Sequence, residues 1–248
     1  MDALTCRDIA YRYAGNRVLD GISFRAPNGI SIILGPNGAG KSTLLRVLAT
    51  ELRAAAGTIA YAGHPVATER DLRWFRSAVG YLPQRFSCMD HASVLDNVVY
   101  SAWSHGVAIR DCERAADRAL DVTGLREHAR TAARRLSGGM RQRMGMACAI
   151  AHAPGILLLD EPTVGIDPRQ RLEIRRFLVR YAERAIVLMS THIVDEVPTL
   201  ANRVLVLDSG HMVFDGSVER FRSLGDERSY STLWESAYIR ALEGAGRA

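Results

Sequence analysis

The sequence predicts an α/β fold: a mainly parallel sheet covered by helices, an antiparallel β layer ahead of it, and an α-helical lobe inserted into its middle. Three observations carry that expectation. Wholly apolar runs such as Ile156-Leu157-Leu158-Leu159 and Ala185-Ile186-Val187-Leu188-Met189 alternate with helical stretches, the pattern of parallel strands buried on both faces. The N-terminal stretch instead alternates polar and apolar residues around the turn Ala14-Gly15-Asn16, as antiparallel strands do. From Arg85 to about Ala153, strand texture disappears and apolar residues recur at helical spacing.

Leu4 to Tyr13 reads as the first strand, and Val18 to Phe24 resumes extended structure after the turn. Ser31-Ile32-Ile33-Leu34 is a short buried strand that ends at Gly35, and Ser42 to Leu48 has helical spacing. The link between them is Gly35-Pro36-Asn37-Gly38-Ala39-Gly40-Lys41-Ser42-Thr43, a match to G-x-x-x-x-G-K-[ST], the phosphate-cradling loop. Of the 32 Lys and Arg residues only Lys41 is a lysine, so arginine supplies positive charge everywhere else. A slim ammonium curls back over such a loop and reaches phosphate as a point charge, which a planar guanidinium does poorly. Glycines 35, 38 and 40 let successive backbone N–H groups face an anion at the helix start, and the Ser42 hydroxyl suits Mg²⁺. Nucleotide binding is the expectation.

Gly57 to Tyr61 is a further strand, Thr68 to Arg76 a polar helix, and Val79-Gly80-Tyr81-Leu82 a strand leading to Pro83-Gln84. Within the helical lobe, Val94, Leu95, Val98 and Val99 form one apolar face, and Ala115, Ala119, Leu120 and Val122 another. Leu136-Ser137-Gly138-Gly139 precedes a helix from Met140 to Ala151; serine and paired glycines there expose N–H donors at the positive end of the dipole. The strand Ile156 to Leu159 then delivers Asp160 and Glu161, two adjacent carboxylates of the kind that hold Mg²⁺ through water and polarise an attacking water. Successive strand residues point opposite ways, so only a turn at Glu161-Pro162 brings both to one site. A helix from about Pro168 to Arg184, strands at Ala185 to Met189 and Arg203 to Leu207, a hairpin about Ser209-Gly210 and a helix from Tyr230 to Leu242 complete the chain.

Bulk composition, 48% hydrophobic and 24% charged, is that of an ordinary globular protein. Cys6, Cys88, Cys112 and Cys148 lack C-x-x-C spacing and read as reduced structural thiols. There is no run of about 18 apolar residues, and the N-terminus resembles no leader, so a cytosolic chain that meets a membrane only through a partner is expected. Part of the net charge of +5 sits between Arg110 and Arg143, with nine arginines against five acids. Solvated helix faces and a surface beside phosphates or nucleic acid are both compatible with it.

These motifs, in this order over Tyr13 to about Gly216, resemble the nucleotide-binding subunit of ATP-binding-cassette (ABC) transporters. The resemblance implies a P-loop ATPase core, ATP and Mg²⁺ as ligands, and two copies meeting head to tail. The phosphate loop of one and the Ser137-Gly138-Gly139 helix start of the other would then enclose each ATP. It further implies that Lys41 offsets phosphate charge, that Ser42, Gln84 and Asp160 serve the metal, and that Glu161 is the general base. His192 would contact the γ-phosphate, Asp167 would act across the dimer, and Tyr13, with Tyr11 as the alternative, would stack on adenine. Met140 and Ile166 replace a frequent glutamine and a usual leucine, and neither removes a catalytic group.

The implied organisation is an ATPase domain over 1–225, with core 1–85 and 155–225, lobe 86–154 and a short helical tail 226–248. The implied role is to drive a separate permease from the inner face of the membrane, with export of a drug, antibiotic or peptide as the closest branch and import as an alternative. Phe86, Met89, His91 and Val94 either form the groove for a permease helix or belong to the lobe core. Cassette ATPases acting on ribosomes or DNA generally carry two cassettes or a long coiled coil, and neither feature is present, so no nucleic-acid partner is expected.

Overall fold

The computed structural model describes residues 2–226 and 232–245. It begins with β1 (Ala3–Tyr13) and β2 (Asn16–Pro27), an antiparallel pair joined at Ala14 and Gly15, both at positive φ (43° and 91°). A turn of that handedness matches the twist of the flanking strands, and glycine adopts it without strain. Next come β3 (Gly29–Leu34), α1 (Lys41–Leu48), β4 (Ala56–Tyr61) and the two-residue β5 (His64–Pro65). The antiparallel layer has the order β2-β1-β4-β5, and β3 leaves it for a second sheet.

α2 (Glu69–Ala78) starts at a capping box in which Thr68 and Asp71 satisfy each other's backbone N–H, and β6 (Val79–Leu82) follows directly. The inserted lobe holds α3 (Val94–Ser104), α4 (Ile109–Thr123) and α5 (Gly138–Ile150). A second capping box, Ser93 with Asp96, opens α3, and Gly124 in the left-handed region closes α4. α5 starts at Gly138, two residues ahead of the sequence expectation. Ser137 caps it, and glycine costs little in an unbonded first turn.

The chain then returns to the core through β7 (Ile156–Asp160), α6 (Pro168–Ala182), β8 (Ile186–Ser190), α7 (Val197–Leu200), β9 (Arg203–Asp208), β10 (His211–Ser217), α8 (Val218–Arg222) and α9 (Leu233–Ala245). The Tyr230 start expected for the last helix lies outside the described residues. The second sheet runs β10-β9-β3-β8-β7-β6, parallel throughout except for β10, which pairs antiparallel with β9 across Ser209-Gly210. Its central strands are buried on both faces, hence the unbroken apolar runs.

Period-two alternation divides that burial between two cores. Leu157 and Leu159 of β7 join the cluster formed with the lobe and α6, whereas Ile156 and Leu158 join α1 and the antiparallel layer. Parallel pairing also aligns the strand ends: Leu82 lies opposite Leu159, Asp160 opposite Ser190, and Ser190 opposite Ile33. The residues that follow β3, β6, β7 and β8 therefore emerge along one edge, where ligands of open parallel sheets bind. No described helix is long and apolar enough to cross a membrane.

Candidate functional site

The phosphate loop occupies the turn from β3 into α1. Gly35, Gly38 and Gly40 all have positive φ (156°, 83° and 103°), and a Cβ at Gly35 would collide with the Leu207 carbonyl. Gly40 caps α1 and no acidic residue occupies its first turn, so the positive end of the dipole is open to an anion. The buried Lys41 ammonium curls back over the loop and donates to Gly35 O at 2.7 Å and Pro36 O at 3.0 Å. Burial lowers its pKa below the ordinary lysine value, while the Glu161 and Asp160 carboxylates act to raise it. Both acids are thus electrostatically coupled to the loop.

Asp160 is buried at the end of β7, and its Oδ1 accepts from Ser190 Oγ at 2.6 Å. Glu161 turns the chain with φ 51°, so the strand alternation ends there. Its backbone N–H donates to Ser190 Oγ at 3.0 Å and to Ser190 O at 3.2 Å. The Glu161 carboxylate lies between two partners: Gln84 Nε2 donates to Oε2 at 3.3 Å, and His192 Nδ1 stands 3.3 Å from Oε1. One site thereby gathers Gln84, Asp160, Glu161 and His192 from the ends of three adjacent strands. Ser190 was not anticipated; the available signal was a lone hydroxyl closing an apolar strand just before Thr191-His192.

Ser137 caps α5 by accepting from Met140 N at 3.3 Å; Gly138 is open to solvent, and Gly139 is buried against the Gln170 side chain, which occupies the space a Cβ would need. Asp167 caps α6 by accepting from Gln170 N at 3.0 Å. Gln170 therefore joins the start of α5 to the start of α6. Among the described residues, no hydrogen bond or ion pair links Ser137, Gly138, Gly139 or Asp167 to Lys41, Asp160 or Glu161.

Residues 19–164 match the ABC transporter family. The chain belongs to that family. It is 34% identical over 244 residues to the daunorubicin resistance ATP-binding protein DrrA3 of Streptomyces coeruleorubidus, covering 96% of this chain and 76% of the relative. It is also 36% identical over 217 residues to the methionine import ATP-binding protein MetN of Rhizobium etli, covering 85% of this chain and 60% of MetN. Among solved structures, cbiO1 from Clostridium perfringens, part of the ABC transporter complex cbiONQ, matches with a TM-score of 0.76 at 29% identity, over 89% of this chain and 90% of that one. The protein is thus an ABC ATPase subunit of a transporter, binding ATP and hydrolysing it. Its relatives include both resistance and import proteins, so membership leaves the direction of transport open.

In this ABC ATPase a cavity of about 930 Å³ is lined by Ser42, Gln84 and Asp160 together with Arg46 and Tyr81. A hydroxyl, a carboxamide and a carboxylate are hard oxygen donors. Among the described residues there is no group of three His, Cys, Asp or Glu placed to cage a metal. By donor type Ser42, Gln84 and Asp160 fit Mg²⁺, which keeps several waters and takes substrate phosphates as ligands. Tyr13 is 39% exposed and its hydroxyl accepts from an Arg46 guanidinium nitrogen at 2.9 Å, whereas Tyr11 packs against the core, edge-on to the Tyr13 ring. The groove expectation divides: Phe86 and Met89 line a 340 Å³ cavity that adjoins the larger one and shares Phe86 with it, and His91 is exposed, but Val94 is fully buried in the lobe core as the first helical residue after the Ser93 cap.

Proposed function

We propose that this ABC ATPase pairs head to tail with a second cassette, encloses two ATP, and drives a separate transmembrane permease that exports a drug, antibiotic or peptide. The supporting observation is a division within one chain: the Gln84-Glu161-His192 cluster lies beside Lys41, while among the described residues no hydrogen bond or ion pair joins Ser137, Gly138 or Gly139 to it. A second copy would complete each half. In this reading residues 1–225 are the ATPase unit, with core 1–85 and 155–225 and lobe 86–154, and 226–248 is a tail. The protein would sit on the inner face of the membrane through its permease.

Lys41 and the backbone N–H groups of Gly35, Asn37, Gly38, Ala39, Gly40, Ser42 and Thr43 would cradle the β- and γ-phosphates, with Pro36, which has no N–H, shaping the loop, and Tyr13 would stack on adenine. Ser137, Gly138 and Gly139 of the facing cassette would add N–H donors to the γ-phosphate, and Asp167 would lie at the dimer contact. Ser42, Gln84 and Asp160 would hold Mg²⁺, which when bound offsets phosphate charge and polarises the γ-phosphoryl group. Glu161 would take a proton from water as the water oxygen bonds to the γ-phosphorus. The bond from that phosphorus to the bridging oxygen breaks, and ADP leaves with the electron pair. His192 and Gln84, both on the Glu161 carboxylate, would hold the base in place until nucleotide arrives.

Export is favoured by the similarity to DrrA3, a resistance protein, and membership of a larger assembly by the similarity to cbiO1. The similarity to MetN keeps import as a second reading. Glu161→Gln should keep ATP binding and lower turnover by about 10²–10⁴, the usual contribution of a general base. Brisk hydrolysis by that variant would remove Glu161 from the role. Tagged Glu161→Gln protein recovered from native membranes should bring down a polytopic membrane protein; recovery of ribosomes or DNA-bound proteins instead would overturn the permease assignment.

A further inference from the structure

A second cavity, of about 750 Å³, shares no residue with the one lined by Ser42, Gln84 and Asp160. It lies between the end of α4, the middle of α5, the outer turns of α6 and Thr199 of α7, and its volume is typical of small-molecule sites. The wall is largely apolar, and Val122, Leu172 and Val179 in it remain 45%, 48% and 47% exposed. Leu172, Arg175, Arg176, Val179 and Arg180 fall on one face of α6 by their spacing, so aliphatic and guanidinium groups are interleaved along a single wall.

The charge in this cavity is not balanced from within. Arg143 pairs with Glu173 at 3.4 Å, Arg175 lies 3.8 Å from the buried Glu196, and Asp121 is engaged by Arg126 at 2.9 Å. Arg176 and Arg180 make no hydrogen bond or ion pair among the described residues, and the buried Nε donors of Arg143 and Arg175 have no acceptor there. Two uncommitted guanidinium groups beside an apolar pouch match a ligand with one apolar end and one anionic end, because guanidinium binds carboxylate in a two-pronged fashion.

We propose that this cavity binds a small, free amphiphilic carboxylate, with its apolar body against Val122, Leu172 and Val179 and its headgroup on Arg176 and Arg180. The probe is 1-anilinonaphthalene-8-sulfonate, an apolar anion that fluoresces when sheltered from water, displaced by decanoate, decanol or decyltrimethylammonium below their micelle-forming concentrations. Decanoate should displace it best, and Arg176→Ala/Arg180→Ala should weaken both probe and decanoate by about 10-fold, the effect of losing charge-assisted bonds. Val179→Trp, which fills the cavity and keeps both arginines, should also abolish binding, with melting temperature and ATP binding confirming that each variant is folded. The proposal is overturned if the double substitution leaves affinity within about twofold, or if the cationic amphiphile competes as well as decanoate. It is equally overturned if the same arginines direct flotation with phosphatidylglycerol vesicles but give no affinity for free decanoate, or if Val179→Trp disrupts self-association instead of probe binding.

Discussion

Ser190→Ala tests how the two carboxylates are held. The Ser190 hydroxyl is fully buried, donates to Asp160 Oδ1 at 2.6 Å and accepts the Glu161 N–H at 3.0 Å, so a single oxygen fixes both residues. Losing a hydrogen bond to a charged group costs about 1.5–3 kcal/mol, whereas the Glu161 N–H keeps a second acceptor in Ser190 O at 3.2 Å; the expected loss is about 2 kcal/mol. For a chain of this size that corresponds to a fall of about 4–8 °C in melting temperature. The functional effect should be larger than the stability effect. Glu161 sits at φ 51°, a conformation that costs about 1–3 kcal/mol and persists only where its surroundings enforce it. Without Ser190 Oγ the carboxylate should drift from Gln84 and His192, and turnover should fall by about 10-fold, while affinity for an ATP analogue, set by Lys41 and the loop amides, stays within about twofold. Thermal melting, steady-state phosphate release and binding of a fluorescent ATP analogue measure the three quantities. A melt within about 1 °C of the parent together with unchanged turnover would refute the reasoning.

Further expectations follow from other parts of the structure. Tyr13→Ala should weaken ATP binding by about 1–3 kcal/mol, or about 5- to 150-fold, with little change in melting temperature; equal affinity by titration would exclude stacking at Tyr13. Gly80→Ala should destabilise by about 1–3 kcal/mol, because a Cβ there meets the Ala149 carbonyl and the Pro154 ring; an unaltered melt would show that β6 and α5 separate freely. Burial, and then neighbouring His105, push the His152 pKa down from 6.5 to about 4, while its Nε2–H donates to Val79 O at 3.1 Å. A folded pKa below the unfolded one means that this neutral ring stabilises fully above pH 6.5 and loses that contribution as pH falls toward 4, by about 3 kcal/mol. His152→Gln should flatten that part of the stability profile, and parallel profiles for the two proteins would contradict it.

Long-range order was legible where burial dictates composition. β7 and β8 must be apolar on both faces, and the turn at Ser209-Gly210 needs two positive φ values, so sequence alone located them. The elements left unseen are too short to show a period: β5 has two residues, and α7 and α8 have four and five. Asp160 and Glu161 were legible as a carboxylate pair at the end of a buried strand, whereas Gln84 and His192 were named only by the family resemblance. Ser190 was not anticipated, since a serine at a strand end looks like any solvent-facing terminus until pairing sets it opposite Asp160. The contact of Gln170 with Gly139 was hidden for a related reason, because it joins starts of helices that belong to different parts of the chain. For Val94 the sequence left groove and lobe core both open, and its burial behind the Ser93 cap decides for the core.

The solitary Lys41 makes the nucleotide site chemically addressable. Apart from the α-amino group, an amine-directed reagent finds one target in the chain, and that amine is sequestered on the Gly35 and Pro36 carbonyls. Reductive methylation followed by mass measurement would therefore report occupancy of the phosphate loop without any engineered label. A lysyl endopeptidase likewise has one bond to cut, between Lys41 and Ser42 in the first turn of α1. Two fragments and no others would mark those molecules whose loop has come open.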